Sequence, residues 1–111
     1  MQKKENFGDA IRKLREQNGF PIRKIAAELD IDPSTLSKIE RNERSANRAM
    51  ISKLAMLFHL DENDLLICYL SDKIAYELVE EKFSDEILKL ADEKIRLIKV
   101  KMIKQGILQL D

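Results

Sequence analysis

The chain has 111 residues, 44% of them hydrophobic and 36% charged, which is too short for more than one small domain with an appendage and too apolar for a disordered segment. Twenty basic side chains balance twenty acidic ones, which argues against a protein that coats nucleic acid indiscriminately, and the lone Cys68 excludes an intrachain disulfide or a thiolate metal cluster. Few aromatics, no Trp, three Gly and two Pro leave an aliphatic core and little material for hairpin turns, so the expected fold is all-α.

In chain order, the first helix is expected over Phe7–Gln17, where Phe7, Ala10, Ile11 and Leu14 recur on one stripe. Asn6 is its expected N-cap and Asn18-Gly19 its stop. Pro21 leads into a second helix, Ile22 to Leu29, whose apolar face is Ile22, Ile25, Ala26 and Leu29. Asp30-Ile31 forms a turn. A third helix, Pro33 to Arg41, is expected to be capped by Asp32 and to bury only Leu36 and Ile39. Residues 41–45 read as an exposed loop. A fourth helix, about Arg48 to His59, carries Met50, Ile51, Leu54, Ala55, Leu57 and Phe58. Asp61 caps a fifth, bearing Leu65, Leu66, Cys68 and Tyr69, and a separate short helix is expected around Ile74, Ala75, Leu78 and Val79. From Ser84 to about Lys104 runs a long helix in which Leu88, Ala91, Ile95, Ile98 and Met102 recur in alternating steps of three and four, a seam of about two heptads.

Function is concentrated in the second and third helices. The second is apolar on one face and braces; the third, about three residues on, is short and outwardly polar. That is the pattern of a helix-turn-helix, in which the second member offers its N-terminal half to a DNA major groove. Small hydroxyl side chains at Ser34, Thr35 and Ser37 permit close approach to bases or phosphates. Lys38, one turn on, can reach a guanine edge or a phosphate.

The runs "IRKLREQNGF", "IAAELDID", "STLSKIERN" and "ISKLAMLFHLDENDLL" make the segment from about Phe7 to Tyr69 resemble the helix-turn-helix domain of the Xre family, which includes the lambda repressor and Cro proteins. The resemblance implies a five-helix lambda-repressor-like domain with a helical C-terminal extension, and a sequence-specific regulator of transcription that binds duplex DNA. It places the base-reading positions on Pro33, Ser34, Thr35 and Lys38, and gives Glu40 the role of tying the recognition helix to its neighbours. Pro33 has no donor, so specificity is expected from Ser34, Thr35 and Lys38. Two departures stand out. Pro21 and Ile22 replace the Ser/Thr-Gln with which the family often starts its second helix, so the phosphate contact of that Gln passes to Arg23 or Lys24. Asn42 replaces a usual Gly, and Asn tolerates the left-handed backbone needed there. Ser37, Arg41, Arg44 and Arg48 complete the expected phosphate contacts.

The organisation expected is a DNA-binding domain over residues 1–70 and a helical extension over 71–111. Residues 1–59 hold twelve Lys or Arg against eight acids, and residues 60–111 reverse that balance. One helix-turn-helix touches few base pairs, so the seam of Leu88, Ala91, Ile95, Ile98 and Met102 is expected to form a homodimer on a palindromic operator. A rival reading makes the C-terminal helices the arm of an antitoxin that wraps a protein partner. Cys68 reads as a small core hydrophobe, His59 as a packing or capping residue, and Glu80, Glu81, Asp85 and Glu86 as charged surface. No metal, cofactor or catalytic site is expected, and no enzyme. The polar start MQKKENFGDAIRK and the lack of any apolar run near about 20 residues point to a soluble cytoplasmic protein.

Overall fold

The computed structural model describes Met1 and residues 4–109. Among them lie six α-helices and no strand: α1 (Phe7–Gln17), α2 (Ile22–Glu28), α3 (Pro33–Glu40), α4 (Arg48–Leu57), α5 (Glu62–Leu78) and α6 (Ser84–Lys104). The all-α expectation holds. The chain divides into two compact units, Met1–Tyr76 and Glu77–Asp111.

In the first unit each of α1 to α5 sends aliphatic side chains into one core. Ile11, Ile25, Leu36, Ile51, Leu54, Leu65 and Cys68 are wholly buried there. Two ring pairs flank them: Phe7 meets Tyr69 edge-on at 5.5 Å, and Phe20 stacks on Phe58 at 6.3 Å. The buried Tyr69 hydroxyl donates to the Ala46 carbonyl at 2.9 Å, which ties the loop between α3 and α4 to α5.

The first four helices end alike. A left-handed residue follows each: Gly19, Asp30, Asn42 and His59, with φ of 67°, 56°, 60° and 54°. The next amide then donates back into the last turn, as from Phe20 to the Arg15 carbonyl and from Leu60 to the Ala55 carbonyl. His59 therefore closes α4 with its backbone, its side chain exposed. Such closure is what makes the four-residue connections 18–21, 29–32 and 58–61 possible.

Three local expectations fail. Asn6 and Asp32 stand at N-cap positions, yet neither side chain makes a capping hydrogen bond. Asp61 does cap α5, accepting from the amides of Asn63 and Asp64 at 2.8 and 3.2 Å. The expected break near Ser71 is absent, and α5 runs unbroken through the segment assigned to a separate short helix. Two interactions explain it: the Ser71 hydroxyl bonds back to the Cys68 carbonyl at 3.0 Å, and Asp72 caps another helix instead of its own. Its carboxylate accepts the first amide of α1, that of Phe7, at 2.6 Å, and the Gly8 amide that an Asn6 cap could take goes to Asn42 Oδ1 at 3.1 Å. Asp72 is held above its ordinary carboxyl range, first by burial, against which the Phe7 amide pulls, and then by the charge of Asp9.

In the second unit α6 spans 21 residues and stops at Gly106, whose φ is 75°. It contains no buried residue. No helix among the described residues is long and apolar enough to cross a membrane.

Candidate nucleic-acid interface

α2 and α3 are joined by residues 29–32. Asp30 reverses the chain, and the Ile31 amide returns to the Ala26 carbonyl at 3.0 Å while its side chain packs on the core. α3 begins at Pro33, where a missing N–H costs nothing. On α3 the buried residues are Leu36, Ile39 and Glu40. Ser34, Lys38 and Arg41, at steps of four and three, therefore share the opposite face, and all three are exposed. Pro33 is exposed at the tip. Thr35 and Ser37 sit half-buried on the flanks of that face.

The other expected contacts surround it. Arg23 and Lys24 are exposed near the start of α2, with the Lys24 ammonium 4.6 Å from the Phe20 ring centre. Arg41 does not stand free: its guanidinium meets the Glu43 carboxylate at 3.0 Å, both ends in solvent. Such a pair is worth little and yields readily to a phosphate. Arg44 lines an open cleft with Asp30, Asp32, Thr35 and Asn47. Arg48 is exposed at the first position of α4. The geometry thus gathers Thr35 and Arg44 around one cleft and sets Ser34, Lys38 and Arg41 on one ridge.

Two clamps hold the C-terminal end of α3. Glu40 is the one charged side chain buried among the described residues, at 3% exposure. Both its oxygens accept from the Arg15 guanidinium on α1, at 2.7 and 3.0 Å, and a third Arg15 nitrogen donates to the Phe20 carbonyl at 2.9 Å. The bond to Glu40 lifts the guanidinium above its ordinary acidity range, and burial opposes that shift. This pair ties the end of α3 to α1, the structural role expected for Glu40.

The second clamp is Asn42. Its side-chain oxygen accepts the Gly8 amide at 3.1 Å and its nitrogen reaches Asp9 at 3.4 Å. Gly8 is obligatory at this crossing, because a Cβ there would overlap the Ile39 carbonyl and stand 2.6 Å from the Asn42 side-chain oxygen. In the sequence Asn42 had looked merely tolerant of a turn; its side chain in fact joins α3 to the start of α1. No local pattern encodes that contact. Asn47 was also missed as a cap, although its place ahead of an apolar run could have marked it. It accepts the Met50 amide at 3.0 Å and starts α4 beside the cleft.

Cys68 lies in the core, as expected for a small hydrophobe. Burial first, and then the charges of Asp72 and Glu5, push its thiol up from the ordinary value, which keeps it protonated and unreactive. Glu80, Glu81, Asp85 and Glu86 are all solvent-exposed. Leu88, Ile95 and Ile98 keep about half their surface, while Ala91 and Met102 are partly covered.

Against known proteins, a family model described as helix-turn-helix matches residues 11–65, a span from α1 into α5 that contains both helices of the motif. No curated protein and no solved structure matches the chain.

Proposed function

This chain belongs to the Xre and lambda repressor-like helix-turn-helix family of DNA-binding regulators, and we propose that it binds a specific duplex sequence as a dimer and represses transcription, its own operon included. The observation that carries this reading is the ridge of Ser34, Lys38 and Arg41. It takes no part in the core, yet it is carried on a helix clamped at its far end by Arg15–Glu40 and Gly8–Asn42. A reading head needs that combination, since a loosely held helix would lose the register that base contacts require.

In this reading Ser34, Thr35 and Lys38 contact base edges, and Pro33 brings the helix tip close without donating. Arg23, Lys24, Ser37, Arg41, Arg44 and Arg48 take phosphates, five of them as cations that release counterions on binding. The α6 seam of Leu88, Ala91, Ile95, Ile98 and Met102 joins two copies, so that two half-sites are read together in the cytoplasm. Control of a restriction–modification operon is one setting for such a protein.

A second reading rests on Leu90, Leu97 and Val100. They lie off the seam and are 50%, 71% and 51% exposed. That surface suits a protein partner, as in an antitoxin whose C-terminal helices engage a toxin.

Selection from a random duplex library tests the first reading. Enrichment of a two-fold symmetric site, with centres about 34 Å or one duplex turn apart, is the expected outcome. A single enriched half-site would remove the dimer. No enrichment from folded protein at low salt would remove DNA reading altogether and leave the protein-partner reading in front.

A further inference from the structure

The charges of α6 are sorted by sign along its length. Residues 84–93 carry Asp85, Glu86, Asp92 and Glu93 against Lys89, a net of −3. Residues 94–104 carry Lys94, Arg96, Lys99, Lys101 and Lys104 with no acid, a net of +5. The dipole of the helix accounts for acids in its first turn and bases in its last, because that field fades within a turn of each end. It does not account for Asp92, Glu93, Lys94, Arg96 and Lys99 in the middle. An intrahelical pair, Arg96 with Asp92 at 3.3 Å, links two of these. The same helix leaves Leu88, Ile95 and Ile98 about half exposed on a single stripe.

Resting on the dimeric DNA-binding reading above, we infer that α6 pairs with α6 of a second copy running in the opposite direction. Antiparallel, each −3 half lies along a +5 half. Parallel, the two +5 halves lie together along their length, with Lys94 beside Lys99 of the second copy across the flank of the seam, whereas antiparallel like charges meet only at the centre, around Asp92 and Lys94.

Packing selects the same direction. In a parallel pair Ala91 faces its own copy and leaves a gap between layers of Leu88 and Ile95. In an antiparallel pair centred on Glu93, Ala91 faces Ile95 of the second copy and Leu88 faces Ile98, so small meets large. The orientation also sets the separation of the two Ser84 residues, roughly 27 Å along the pair at 1.5 Å per residue when antiparallel and within about 10 Å when parallel.

Disulfide trapping on the full chain decides the direction. Ser84→Cys and Met102→Cys, in separate chains that differ in mass by a tag, are mixed and gently oxidised; Cys68 stays, being wholly buried. The expected result is a mixed disulfide between the two variants, with loss of each self-linked species. Ala91→Cys mixed with Ile95→Cys gives a second test at the centre and is expected to behave alike. Self-linked products instead would overturn the direction while leaving the dimer intact. A dimeric mass by light scattering with no cross-link from either mixture would overturn α6 as the seam. A monomeric mass would overturn this inference and the dimer together, yet leave DNA selection free to succeed with a single half-site.

Discussion

The two units of this chain spend the same aliphatic residues differently. In the first, Ile11, Ile25, Leu36 and Leu65 are fully removed from water by five short helices, and a polar ridge is left outside. In the second, Leu88, Ile95, Leu97 and Ile98 stand on a 21-residue helix and keep 46%, 50%, 71% and 50% of their surface. The core of the first unit closes within one copy of the chain. The second leaves apolar surface in water along α6. One region closes a core and the other keeps apolar side chains in water, so substitutions should act on them differently.

The largest effect is expected where the first unit is least forgiving. Glu40→Ala leaves the Arg15 guanidinium without its partner in a nearly dry site, which should cost about 3–5 kcal/mol in urea unfolding. Replacing both residues with apolar ones of similar size should recover much of that stability while loosening α3, so DNA selectivity should fall even in a stable protein. A loss from Glu40→Ala no larger than a surface substitution would show that the clamp is not structural.

Leu36→Ala and Ile98→Ala set the two units directly against each other. The first opens a cavity in the core and should cost about 2–5 kcal/mol. The second should change the stability of the DNA-binding unit by less than about 0.5 kcal/mol, and its signature should be a weaker, concentration-dependent dimer by sedimentation. If Ile98→Ala destabilised a monomeric chain as Leu36→Ala does, α6 would be core and the contrast would collapse.

Within the first unit the ridge can be separated from its surroundings. Lys38→Ala should narrow the gap between specific and random duplex by about 1–3 kcal/mol, whereas Arg44→Ala should weaken both alike and lower the salt slope by about one. An unchanged specificity ratio for Lys38→Ala would move base reading elsewhere on α3.

The smallest effect concerns Asp72. A carboxyl held above its ordinary value of 3.8 binds its proton more tightly in the folded state. Its contribution is therefore whole below that value and lost as pH rises through the folded pKa. Asp72→Asn keeps an oxygen for the Phe7 amide and removes the slope. Native and variant chains should thus match in acid and diverge toward neutrality, the variant the more stable, in melts run from pH 3 to pH 7. A variant less stable at neutral pH would show that the ionised carboxylate is the better cap.

Much of this was legible from local pattern. Helical spacing placed α1 to α4 and the start of α5 to within a few residues, and Pro33, Gly19 and Asp61 marked boundaries for reasons internal to their own turns. The outward face of α3 could be read because the apolar pair Leu36 and Ile39 fixes the buried side and sets Ser34 and Lys38 opposite, although that pattern did not mark Glu40 as buried with them. Asn6, Asp32 and Ser71 misled because a cap or a break is a competition. The Gly8 amide is claimed by Asn42, 34 residues away, and the Ser71 hydroxyl by its own helix.

By itself, then, the sequence determined helix periods, turn positions, the polarity of the recognition face and the sorting of charge along α6. Each of these is a property of neighbours along the chain. Tertiary structure alone decided that Asn42 clamps α1, that Gly8 admits no side chain, that Arg15 is the partner of Glu40 and that α5 runs unbroken. Those outcomes depend on which distant groups meet at hydrogen-bonding distance, and a buried donor or acceptor takes whichever partner the packed core presents to it.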